Sequence, residues 1–304
     1  LVAAKRAGLI AWPARPKLDA EMRAFLKAFG PAVIGSAGVQ IAMLADTILV
    51  TFLPAGGASS LYYADRLYQL PIGVIGVAAG TVLLPEMSKR IAGGDEAGAH
   101  RAQNRSLAIS LLLAVPFAIV FFMIPEAIIA GFFGYGAFGA SAIKAAAGVL
   151  AAYAIGLPAI VAIRSLVASF HARGDTKTPL YASLSAIALN LVLKLLLWKS
   201  HGAAGLALAT AIGAIANAAI LAFLALRQKK CAPDAELGFA IAIALISGIW
   251  LVAALTMLEQ FWGASLGTLH PFLKLAVLGL GAGAAYFGVA ALCAKVTRVQ
   301  LTLR

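Results

Sequence analysis

The sequence predicts an all-α, polytopic integral membrane protein with eight transmembrane helices. Three observations carry that reading. Of 304 residues, 62% are hydrophobic and 12% charged, whereas a soluble domain is about half apolar and a quarter charged. The apolar residues gather in runs of about 20 or more, enough to cross about 30 Å of hydrocarbon as helix. The basic residues alternate between those runs.

The runs, in order, are Gly30–Leu53, Leu61–Met87, Leu107–Ala130, Ser141–Phe170, Pro179–Trp198, Ala203–Leu226, Leu237–Leu258 and Phe272–Ala294. In lipid each backbone N–H and C=O must be paired within the chain, so each run is read as a helix. Residues 1–27, with Pro13 and Pro16, read as a cytoplasmic connector. The chain starts at Leu1 without a leader pattern, and a preceding segment is expected. Residues 28–230 read as a six-helix lobe, and residues 231–304 as a helix pair with a cytoplasmic tail.

The net charge of +12 comes from 24 basic and 12 acidic residues. It is not clustered as a nucleic-acid surface would be, so no nucleic-acid partner is expected. One set of alternate loops holds 18 Lys and Arg, from Lys5 through Arg90, Arg173 and Lys230 to Arg304; the other set holds only Lys144 and Lys199. That alternation is the positive-inside pattern, and it places both termini in the cytoplasm. Four basic residues are left inside runs: Arg66, Arg164, Lys194 and Lys274.

Enzyme signatures fail their context tests. Gly134, Gly136 and Gly139 fit the spacing of a dinucleotide fingerprint. No strand precedes them and no acid follows about 20 residues on, so they read as a short outer loop. The four histidines lack metal-ligand spacing. Neither a metal nor a cofactor is called for, and the chain reads as a transporter rather than an enzyme. A membrane-embedded transferase would need clustered carboxylates, which are missing, and a scaffold would leave the intramembrane charges unexplained.

Those charges are the strongest functional pointer, because each costs roughly 2.5–3.5 kcal/mol to insert. Asp46, Arg66 and Lys194 share an outer layer, about 10, 8 and 6 Å from their helix ends. Asn190 and Lys194, four apart, share a helix face. Arg164 lies nearer the cytoplasmic end. Bland readings stand beside these: Lys194 and Lys274 are long enough to snorkel, and Arg164 can pair with a helix end. Asp65 adjoins Arg66 but points about 100° away around the helix. Pro71 and Pro158 are read as hinges and Pro116 as a kink, since proline removes an intrahelical bond.

The stretch Leu61-Tyr-Tyr-Ala-Asp-Arg-Leu-Tyr-Gln-Leu-Pro-Ile-Gly-Val-Ile-Gly-Val-Ala-Ala-Gly-Thr-Val-Leu-Leu-Pro-Glu-Met-Ser88 closely resembles the MurJ/MviN family of lipid II flippases, within the multidrug/oligosaccharidyl-lipid/polysaccharide exporter superfamily. Asp46-Thr-Ile-Leu49, Tyr153-Ala-Ile-Gly-Leu-Pro158 and Gly174-Asp-Thr-Lys-Thr-Pro179 extend the likeness from about Leu18 to the chain end. It implies fourteen helices in the whole transporter, two six-helix lobes around a cavity plus a lipid-groove pair. The eight runs here would be helices seven to fourteen, and the N-terminal lobe the missing partner.

By the same resemblance Arg66 matches a cavity-facing arginine of the family, and Arg66, Arg164, Asp65 and Tyr62 are taken as candidate substrate-binding residues for lipid II in the inner membrane. Asp46, Asn190, Lys194 and Thr210 match coupling-ion positions of cation-driven members, and Asp46 and Lys194, at similar depth, are expected to form an ion pair in place of a bound cation. Lys194 puts a fixed cation where a carboxylate would help hold sodium, which counts against direct sodium binding. The chain departs from the family pattern at Gln69, where an acid is common, and at Tyr135-Gly-Ala-Phe138, where an arginine usually stands first. A flippase for another polyprenyl-linked oligosaccharide, or a cation-coupled drug exporter of the superfamily, are the alternatives; the basic groups count against the second.

Overall fold

The computed structural model describes residues 20–267 and 269–297, which are helical apart from short turns. The helices are α1 (Ala20–Thr51), α2 (Gly57–Pro71), α3 (Val77–Ala92), α4 (Glu96–Met123), α5 (Pro125–Phe133), α6 (Ala140–His171), α7 (Lys177–Arg227), α8 (Ala235–Gly267) and α9 (Pro271–Thr297). One widened π-helical turn, Ile72–Gly76, joins α2 to α3 in a continuous rod. Most of the predicted connector, residues 1–19, and the tail from residue 298 lie outside the described residues. Helix α1 already runs from Ala20, ahead of the predicted span start at Gly30.

Among the described residues six helices are long and apolar enough to cross a membrane, one of them the bent 51-residue α7. The first predicted span falls in α1, which ends in the apolar stretch Gln40–Thr51. The fifth and sixth predicted spans fall in α7, whose 51 residues would reach about 77 Å if straight. It is not straight: Gly202 takes φ 53° and ψ −132° and turns the chain back. A side chain on Gly205 would meet the Leu197 carbonyl at 2.5 Å, and one on Gly213 would meet Asn190 Cβ at 2.9 Å. The halves 177–201 and 203–227 are therefore a close-packed antiparallel hairpin.

The third predicted span is also redrawn. Helix α4 stops at Met123 rather than Ala130, and α5 starts with Pro125 in its first turn. Proline has no N–H and forces the residue before it out of helical geometry; Ile124 accordingly sits at φ −126°, ψ 42°. Proline is tolerated elsewhere. Pro116 and Pro158 lie inside unbroken α4 and α6, while Pro71 directly precedes the π turn. Such a turn is a usual response to a lost ladder bond.

Helix α6 is the hub, with Ala147, Val149, Leu150, Ala154, Leu157 and Val161 all buried. It packs on α2, α3, α4, α5 and α7. Gly156 lets the second half of α7 approach so closely that a Cβ there would sit 2.6 Å from Ala211 Cα. Helices α8 and α9 lie against each other and against α4 and α5, with Gly248 facing Ile119 and Gly131 facing Leu275. Helix α1 leans mainly on the first half of α7. The pairs Gly38/Leu184, Asp46/Lys194 and Phe52/Trp198 advance together, so the two segments run parallel.

The two ends of the bundle differ in chemistry. At the basic-rich end, Arg173 bridges α6 to Glu96 at 2.6 Å. Lys230 reaches Asp175 at 2.5 Å and lies 4.9 Å over the Phe170 ring, and Asn104 donates to the Ala232 carbonyl. Asp175 also accepts from the Thr178 N–H and hydroxyl at the start of α7. The opposite end brings together turns 54–57, 134–139 and 202–203, which themselves hold no Lys or Arg.

Candidate functional site

Helix α2 is two-faced. Ser60, Ala64, Leu67, Tyr68 and Pro71 are buried on one side, which lies against α6. Tyr68 stacks on Tyr153 with ring centroids 4.7 Å apart and an interplanar angle of 13°. The other side exposes Tyr62, Arg66, Gln69 and Leu70. The spacing of four between Tyr62 and Arg66 puts one side chain above the other. The Arg66 guanidinium lies over the Tyr62 ring, 4.7 Å from its centroid. That contact orients the cation without neutralising it, and no ion pair to Arg66 exists among the described residues. The neighbouring Asp65 turns away and accepts from the Gln69 amide.

Arg164 is exposed on α6, and its side chain packs where Gly76 leaves room: a Cβ there would be 3.5 Å from Arg164 Cγ. Gly76 is ten residues beyond Arg66, about 15 Å along the rod. The two arginines are thus spread along one rod rather than converging on a point. The π turn between them, built from Ile72, Gly73, Val74, Ile75 and Gly76, widens the helix at the place where Arg164 docks. Of the two predicted hinges, Pro71 adjoins this irregularity and Pro158 sits in regular helix.

The second group of predicted residues gathers around the α7 hairpin. Lys194 is buried and donates to Asp46 on α1, whose carboxylate is 46% exposed. One turn earlier on the same face, Asn190 donates to the Ala209 carbonyl at 3.4 Å. Thr210 donates to the Leu206 carbonyl at 3.1 Å, inside its own helix. Lys194 does not snorkel; its buried ammonium is paired with Asp46.

Sequence reasoning missed two features. One is the capping role of Asp175. Burial favours its protonated form, but the Lys230 ammonium and the two Thr178 hydrogen bonds outweigh this and hold its pKa at about 2. The signal was present as Asp175 with Thr178 three residues on, an N-terminal capping pattern. The other is a pocket of about 720 Å³ at the end opposite the Arg173 and Lys230 contacts, lined by parts of residues 54–63, 133–145 and 202–203. Neither Arg66 nor Arg164 lines it; both stand on the open side of the bundle.

The comparisons with known proteins agree with this geometry. A family model described as "Lipid II flippase MurJ" matches residues 1–282. A relative from Rhizobium meliloti (strain 1021), named probable lipid II flippase MurJ, is 34% identical over 293 residues, covering 95% of this chain and 55% of the relative. Its counterpart from Rhizobium tropici is 34% identical over 285 residues, with 92% and 53% covered. The chain thus spans about half the length of the curated relatives it matches. A solved lipid II flippase MurJ in an inward closed conformation superposes with a TM-score of 0.72 at 25% identity, over 93% of this chain and 57% of that one. An outward-facing multidrug resistance transporter of the MATE family shares the fold at a TM-score of 0.59 and 19% identity, over 88% of this chain and 67% of that one. With the α2 motif, the helical architecture and the family match all in agreement, the chain belongs to the MurJ family.

Proposed function

We propose that this chain is the second-lobe half of a lipid II flippase, which carries the polyprenyl-diphosphate-linked peptidoglycan precursor from the cytoplasmic to the outer leaflet of the bacterial inner membrane. The observation that carries the reading is the unneutralised Arg66 guanidinium, braced on Tyr62 and presented on the open face of α2. An exposed cation at membrane depth needs a wet cavity or an anion to offset its cost. Guanidinium presents a planar fork of donors to phosphate oxygens. Arg66 would take the diphosphate or the adjacent sugar, with Asp65 and Tyr62 shaping the contact, and Arg164 would assist about 15 Å nearer the cytoplasm. The N-terminal lobe would close the open face.

Both ends of the described chain would lie on the cytoplasmic side, where the Lys and Arg of alternate loops collect. Rocking of the two lobes would expose the cavity to each side in turn, with the polyprenyl tail left in lipid along α8 and α9. Lys194 would act as a built-in counter-ion to Asp46 in place of a bound monovalent cation, so the chain needs no sodium at that position.

The test is Arg66→Ala in the complete protein, with lipid II translocation measured in proteoliposomes. A loss of at least about tenfold, equivalent to about 1.4 kcal/mol, is expected. Undiminished translocation removes Arg66 from the mechanism.

A further inference from the structure

The pocket between turns 54–57, 134–139 and 202–203 points to a second ligand. Its volume is about 720 Å³, within the range of small-molecule sites. Three chain reversals build it, each holding a glycine with positive φ: Gly56 at 87°, Gly136 at 64° and Gly202 at 53°. Such turns are disfavoured for other residues, so the rim is formed in advance of any ligand.

The lining combines two chemistries. Tyr63 is wedged between Phe133 and Phe138, with centroids 4.8 and 5.0 Å away. Tyr135 at the rim is 74% exposed, and no ring stacks on it among the described residues. Around these rings the hydroxyls of Ser59, Tyr63, Tyr135 and Ser141 have no hydrogen-bond partner among the described residues, whereas Ser60 donates to the Gly56 carbonyl at 2.9 Å. No charged side chain lines the pocket.

We infer that this pocket binds a neutral sugar ring, stacked on Tyr135 and hydrogen-bonded by the free hydroxyls. A pyranose has one face rich in C–H bonds, which suits the negative face of an aromatic ring, and a rim of hydroxyls that need partners. Phosphate is disfavoured because no cation lines the pocket. A quaternary ammonium is disfavoured because no carboxylate is present and Tyr63, Phe133 and Phe138 pack on one another instead of opening a cage. An acyl chain would leave four hydroxyls without partners. The assignment stands on the pocket alone and does not depend on translocation.

The test is saturation-transfer NMR on the full chain in a detergent without a sugar head, titrated with N,N′-diacetylchitobiose. Binding with a dissociation constant on the order of 1 mM is expected. It should weaken about tenfold in Tyr135→Ala and persist in Tyr135→Phe, which keeps the ring. Tyr181→Ala, an exposed tyrosine in α7 outside the pocket lining, should leave binding unchanged. Absence of binding, binding indifferent to Tyr135→Ala, or displacement by tetramethylammonium or a sugarless alkyl amine oxide overturns the proposal. None of these results bears on Arg66, whose test is read by translocation.

Discussion

Lys194, buried in the first half of α7, hydrogen-bonds Asp46 on α1 across 148 residues of sequence. The pair is lopsided: the lysine side chain is 6% exposed and the aspartate 46%. Asp46→Asn strands an ammonium with little access to solvent, whereas Lys194→Met leaves a carboxylate that is half open. Asp46→Asn is expected to cost about 2–4 kcal/mol and Lys194→Met about 1 kcal/mol or less. Thermal unfolding in micelles measures both. Equal losses would mean that the aspartate is as enclosed as the lysine in the assembled protein.

Arg66 stacks over Tyr62, forms no ion pair among the described residues and is exposed. Its removal should therefore change the stability of this chain by no more than about 0.5 kcal/mol, while abolishing most translocation in the complete protein. A large drop in melting temperature for Arg66→Ala would instead mark it as a packing residue.

Gly202 turns α7 back on itself with φ 53° and ψ −132°, and a side chain there would have open space within 4 Å. The cost of Gly202→Ala is thus conformational, about 1–3 kcal/mol. Asparagine, which tolerates the left-handed helical region, should do no better, because that region needs a ψ near +47°. Melting temperatures of Gly202→Ala and Gly202→Asn test this, and a clear rescue by asparagine would contradict the assigned backbone.

Asp175 ties the start of α7 to Lys230 and has its pKa lowered to about 2. A lowered carboxylate pKa stabilises the folded state above the unfolded value near 4 and stops doing so as pH falls through the folded value. From pH 8 to pH 5 the contribution should stay flat, fading only toward pH 2. Asp175→Asn should cost about 1–2 kcal/mol at neutral pH, read as faster hydrogen exchange over residues 176–180. A change in exchange centred near pH 6 would exclude this carboxylate as its source.

Much of the architecture was legible because lipid removes alternatives. A long apolar run has to pair its own backbone, so helix was the available answer for Ser141–Phe170, and Pro158 did not interrupt it. Loop charge similarly marked out the two ends. Other boundaries were hidden by competing rules. Pro125 ended a helix while Pro116 and Pro158 did not, because only at Ile124 did the backbone leave helical geometry. The π turn after Pro71 had no signature in apolar periodicity.

By itself the sequence determined a lipid-embedded helical chain, the family motif on α2, and which polar residues interrupt its apolar runs. Composition and period are sums over neighbouring residues, and these survive without a fold. The tertiary structure decided that Lys194 is buried against Asp46, that Arg164 docks on Gly76 far from Arg66, and that three turns border an uncharged, aromatic-lined pocket. Those relationships join residues tens to more than a hundred positions apart. Helix packing chooses their partners, through close approaches such as Gly156 on Ala211, and no local rule of sequence reaches that far.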